Sequence, residues 1–149
     1  MQEQVYDYLR EYGFTKEEVN NIEEVNEKMF FTSKEIVFNN IKFLNNKGLS
    51  KEEIIKLVNN NPFMLTVGKN RLEYLDKIYL NILSLNNSEL KNLIISNPDT
   101  YIASPIELEG IINYLKNNNY TNELIKQLII NNPSIVSIKL DKFKELFNK

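Results

Sequence analysis

The stretch Gly48-Leu49-Ser50-Lys51-Glu52-Glu53-Ile54-Ile55-Lys56-Leu57-Val58-Asn59-Asn60-Asn61-Pro62 decides the architecture. Ser50 and Glu53 have capping-box spacing, in which the hydroxyl takes the Glu53 amide and the carboxylate takes the Ser50 amide. Ile54, Leu57 and Val58 then fall on one helical stripe. Pro62 ends the run, because proline has no N–H to give and disfavours helical geometry at the residue before it. The segment predicts a helix that starts at Ser50 and stops at Asn61.

The same pattern recurs along the chain. Pro62, Pro98 and Pro133 are 36 and 35 residues apart. Eight residues before them stand Ile54, Leu90 and Ile125; five before, Leu57, Leu93 and Leu128; four before, Val58, Ile94 and Ile129. Asn86 with Glu89 repeats the capping box, and Thr121 supplies a cap whose acidic partner is replaced by Leu124. Past each proline comes a short apolar patch holding Leu65, Tyr101 or Val136. A second helix then carries Leu72, Leu108 and Phe143, followed by Leu75, Ile111 and Leu146. A unit therefore reads as a helix, a proline turn with a turn of 3-10 helix, and a second helix.

A fourth copy lies upstream, where Gly13-Phe14-Thr15-Lys16-Glu17-Glu18-Val19 matches 48–54 at an offset of 35. Its stripe is Val19, Ile22 and Val25, and Glu27 stands where the others have proline, which predicts a looser turn. Residues 1–12 read as a capping helix, followed by units 13–47, 48–83, 84–118 and 119–149. Neither helix of a unit can bury its stripe alone, so neighbouring units are expected to stack. The expectation is one all-α domain, 1–149, built as a helical-repeat solenoid or superhelix. Its prolines and apolar stripes are scaffold.

The run from Ile41 to Leu65, with its Gly-Leu-Ser break, capped helix and terminating proline, resembles the repeat of the mitochondrial transcription termination factor (mTERF) family. The resemblance extends over residues 13–149. It implies a curved superhelix of three-helix units whose groove bears Arg and Lys against nucleic-acid backbone, with no catalytic activity.

On that reading, groove-facing cations belong at the start of each second helix, where free N–H groups also favour phosphate. Lys69 and Arg71 occupy that place in one unit, and Lys139, Lys142 and Lys144 in the last. The middle unit carries Glu107 and Glu109 there instead, which interrupts the basic track. Asp141 and Glu145 are interleaved with the last cluster at pairing distance along a helix. Tyr74, Tyr79, Tyr101 and Tyr114 are candidates for base stacking, but Tyr79 and Tyr101 fall at core positions of the repeat.

Composition narrows the remaining possibilities. Without cysteine or histidine, the commonest metal ligands and catalytic bases are missing, so no metal, cofactor or small-molecule substrate is expected. The acid pairs Glu17/Glu18, Glu23/Glu24 and Glu52/Glu53 sit in first turns or on exposed faces, where carboxylates complement the helix dipole. These features predict a protein that is not an enzyme. No 18-residue apolar run and no basic leader is present, which predicts a cytoplasmic protein that does not enter membranes. The wealth of Asn, Lys and Ile matches an AT-rich genome. Net charge is only −2, yet residues 1–35 hold nine acids against four bases. That acidic first third, with just two arginines, keeps a second reading open: a protein-interaction module or inhibitor, with a nucleic-acid-handling enzyme as one partner.

Overall fold

Each helix that opens a repeat begins on the capping group its sequence supplies. The computed structural model describes residues 1–149 and contains helices and turns without strands. The α-helices are α1 (Glu3–Tyr12), α2 (Lys16–Val25), α3 (Lys34–Asn46), α4 (Lys51–Asn60), α5 (Lys69–Asp76), α6 (Asn87–Ser96), α7 (Pro105–Asn117), α8 (Asn122–Asn131) and α9 (Leu140–Phe147). Thr15, Ser50 and Asn86 form complete capping boxes with Glu18, Glu53 and Glu89. Thr121 accepts the Leu124 amide at 3.2 Å without a reciprocal bond, because leucine has no acceptor to return. Helices α4, α6 and α8 end at Asn61, Asn97 and Asn132, one residue before each proline. The result is an all-α helical-repeat fold.

Two details depart from a uniform repeat. The turns at Pro62–Thr66 and Pro133–Ser137 are 3-10 helices, and Glu27–Phe30 makes a shorter one without proline. The turn after Pro98 is not a 3-10 helix. There the Thr100 hydroxyl donates near the Asn97 carbonyl at 2.6 Å, and the Ala103 amide closes onto Asp99 at 2.9 Å. The second departure is a π-helical segment, Lys77–Ile82, that continues α5. Pro62 to Pro98 is one residue longer than the other spacings, and the excess lies between the caps Gly68 and Asn86. A π turn holds one more residue than an α turn, so it takes up the insertion while Leu75, Ile78 and Tyr79 stay buried.

A left-handed residue stands two positions before each repeat's cap. Gly13 (φ 132°), Gly48 (φ 92°), Ser84 (φ 55°) and Asn119 (φ 71°) occupy matching places. Glycine takes such angles freely, asparagine more readily than most residues, and serine at a cost.

The chain divides into two compact units, Met1–Val67 and Gly68–Lys149. In the first, Val5, Leu9, Phe14, Val19, Ile22, Met29, Val37 and Leu44 form the core, and α3 packs on the Pro62–Thr66 turn. In the second, Tyr79, Leu108, Ile111, Leu115, Ile125 and Ile129 are fully buried. Tyr79 donates to the Thr100 carbonyl and Tyr101 to the Asp76 carboxylate, both at 2.5 Å. Both tyrosines thus sit in the core, and burial pushes both phenols well above their ordinary value.

Within each unit one asparagine joins successive repeats. Asn26 donates its side-chain amide to the Pro62 carbonyl (3.0 Å) and the Thr66 hydroxyl (2.9 Å). Asn97 does the same to the Pro133 carbonyl (2.9 Å) and the Ser137 hydroxyl (3.1 Å), across identical sequence offsets. In unit one Asn40 adds bonds to the Met64 and Val67 carbonyls at 3.1 Å each. These bonds give the turn carbonyls a side-chain donor from the preceding repeat. Three stripe positions depart from the expected burial: Val25 is 43% exposed, Leu146 50% exposed and Leu128 half-buried.

Candidate functional site

All five candidate cations lie in the unit Gly68–Lys149. Helix α5 begins at Lys69 on Gly68, whose lack of a side chain leaves the first amides of the helix uncapped. Lys69 projects into solvent, 3.8 Å from Glu73 one turn on, an exposed pair of little energetic weight. Arg71 is held more firmly. Its guanidinium donates to the Ile102 carbonyl at 3.2 Å, in the turn between α6 and α7.

Ile102 lines a cleft of about 220 Å³ whose other walls include Asp99, Glu107, Ser137 and Lys139. Lys139 is the N-cap residue of α9 and its side chain is exposed. Lys139 therefore lines the cleft itself, whereas Arg71 is linked to it only through the backbone carbonyl of Ile102, one of its lining residues. Lys142 lies one turn further along α9, 3.8 Å from Glu145 and well exposed. Lys144 is drawn elsewhere: its ammonium lies over the Tyr114 ring, 5.4 Å from the centroid, as a cation–π contact.

The two acids that interrupt the basic track are engaged with their neighbours. Glu107, half-buried, accepts the Leu140 amide at 2.8 Å and so caps the first residue of α9 from the preceding repeat. Its charge sits where the α9 N-terminus offers free N–H groups, an arrangement favourable to both. Glu109 accepts the Tyr74 hydroxyl at 3.0 Å, and that bond raises the Tyr74 phenol above its usual value. The spacing of Glu107 and Glu109 carried no sign of these bonds, because each depends on a residue more than 30 positions away.

A second cleft of about 380 Å³ is lined by Asn70, Glu73, Tyr74, Lys77 and Glu109, beside the π segment. Lys77 was not singled out from the sequence, since a π turn alters which residues share a face. Glu89 and Lys126 form a partly buried pair at 3.0 Å. The Asn86 amide, and after it Lys126, hold the Glu89 carboxyl below its ordinary range. That pair is structural, tying α6 to α8. No group of three or more acidic side chains is placed to hold a metal ion, and no helix is long and apolar enough to cross a membrane.

Compared with known protein families, the chain matches the family model of mTERF over residues 1–148. No curated protein matches it.

Proposed function

The chain belongs to the mTERF family, and from that premise we propose that it is a non-catalytic protein that binds nucleic acid through the backbone phosphates. The observation that carries this reading is that Arg71 bonds the carbonyl of Ile102, while Ile102 and Lys139 line one cleft whose wall also holds Glu107, tied to the α9 N-terminus. The guanidinium uses one donor on the Ile102 carbonyl and keeps others for a phosphate. Lys69 and Lys142 supply exposed charges on either side, and Lys144 is the weakest contributor because of its ring contact. Phosphate contacts position a nucleic acid without reading its sequence, so binding of this kind is general to backbone. The location we propose is the cytoplasm.

Titration of the chain into short fluorescein-labelled duplex DNA and single-stranded RNA at low salt tests the reading. Saturable binding that is lost in Arg71→Ala and Lys139→Ala supports it. Absence of binding to either probe at low salt overturns it. A protein partner is the second reading, and the exposure of Phe31 (88%) and Phe30 (52%) favours it, since bare aromatic side chains are typical of interaction surfaces.

A further inference from the structure

We propose that the cleft beside the π segment takes one unpaired base of a single-stranded nucleic acid, a base whose exocyclic amine lies next to a ring acceptor. This base contact rests on the phosphate-binding reading above and adds recognition of base type to it. Of the four tyrosines that are candidates for stacking, Tyr79 and Tyr101 are buried in the core, and Tyr114 has the Lys144 ammonium over its ring. Tyr74 remains, 39% exposed on the wall of the cleft of about 380 Å³. Its hydroxyl donates to Glu109 Oε2 at 3.0 Å, which ties the ring on α5 to α7. A ring already held in place loses little freedom when a base stacks on it.

The polar groups of the cleft select the base. The Tyr74 bond uses one oxygen of the Glu109 carboxylate and leaves the other to accept from an amine. The Lys77 ammonium, also in the wall, is a donor for a ring nitrogen. Cytosine and adenine present an amine beside an acceptor nitrogen and so suit both groups. Uracil carries a carbonyl in place of the amine and turns an oxygen towards Glu109. Glu73, the other acid of the wall, is paired with Lys69 at 3.8 Å. Ile78 and Ile82 offer apolar surface to the base. They belong, with Lys77, to the π segment, so the inserted residue of this repeat helps to build the cleft.

The phosphate contacts adjoin this cleft. Asn70, another of its lining residues, stands between Lys69 and Arg71 in the first turn of α5, one turn before Tyr74. A strand whose phosphates lie on Lys69 and Arg71 therefore has a base within reach of the tyrosine. In a duplex the amine and the ring nitrogen are already engaged in pairing, so the cleft serves single strands.

Anisotropy titration of the whole chain with labelled oligo(C), oligo(A) and oligo(U) RNAs of equal length holds the phosphate contribution constant. The wild type is expected to bind oligo(C) and oligo(A) at least about tenfold tighter than oligo(U). Glu109→Gln, whose carboxamide both donates and accepts, is expected to remove that preference. Tyr74→Ala is expected to weaken binding to all three by about 5- to 150-fold, the loss of one stacked base. The salt slope and the affinity for duplex DNA stay unchanged in that variant, and Tyr74→Phe, which keeps the ring, restores single-strand binding. Equal binding of the three RNAs by the wild type, a preference that survives Glu109→Gln, or an equal Tyr74→Ala loss on duplex DNA overturns the base contact and leaves the phosphate reading standing. Absence of binding to every probe overturns both.

Discussion

Replacing Asn26 with alanine removes a fully buried amide that donates to the Pro62 carbonyl at 3.0 Å and the Thr66 hydroxyl at 2.9 Å. It also removes the oxygen that accepts the Lys28 amide at 3.2 Å. Pro62 is buried, so its carbonyl keeps only the bond inside its own 3-10 turn, whereas Thr66 is half-exposed and regains water. Each of the three lost hydrogen bonds costs about 1 kcal/mol net, giving a total loss of about 2–4 kcal/mol. Asn132→Ala is the matched control. It occupies the aligned position, is exposed, and gives up only a bond to its own helix at Leu128, so its cost is below about 0.5 kcal/mol. Urea unfolding followed by circular dichroism reads the difference. With a slope of about 1–3 kcal/mol per molar for a small domain, the Asn26 variant shifts the midpoint of the transition involving residues 1–67 down by about 1–2 M. Equal midpoints for the two variants would refute the view that these asparagines hold successive repeats together.

Four further outcomes follow from the geometry. Ser84→Gly relieves a non-glycine residue at φ 55° and is expected to raise stability by about 1 kcal/mol in the same urea assay. Deleting exposed Asn81 converts the π segment to α-helix and restores 35-residue spacing; thermal melting is expected to show little change, whereas deleting Asn113 from the regular α7 unfolds the chain at lower temperature. Tyr79 and Tyr101 have folded pKa values above the ordinary phenol value near 10. Their contribution is fully present below that unfolded value and is lost as pH rises above it. Absorbance at alkaline pH should then show their ionisation only together with unfolding. Glu107→Gln keeps an oxygen for the Leu140 amide while removing the charge at the cleft, so anisotropy titration is expected to show tighter nucleic-acid binding with little loss of stability.

The helix boundaries were legible in the sequence because their causes are local. A cap such as Ser50 and a stop such as Pro62 act within a few residues, and the structure places α4 between them. The π segment left only a trace, the extra residue between Pro62 and Pro98, and arithmetic alone does not say whether an insertion enters a loop or a helix. The asparagines before the prolines were legible as helix ends. Their recurrence at 26, 61, 97 and 132 was the available signal for more, yet the partners of Asn26 and Asn97 lie 36 and 40 residues ahead. Among the candidate cations, side-chain type marked all five, but only tertiary contacts separate Arg71, fixed on Ile102, from Lys144, drawn to Tyr114. The same holds for Glu107, which reads as a repulsive charge in sequence and caps a helix in the fold.

The most direct test of the account is the salt dependence of binding to labelled duplex DNA, measured for the wild type and for Arg71→Ala/Lys139→Ala. With Lys69, Arg71, Lys139 and Lys142 each neutralising one phosphate, log K is predicted to fall with log salt at a slope of about −3 to −4. The double variant is predicted to lose about 2 from that slope. A slope near zero, or an unchanged slope in the double variant, would contradict the assignment of this cleft as the phosphate-binding surface.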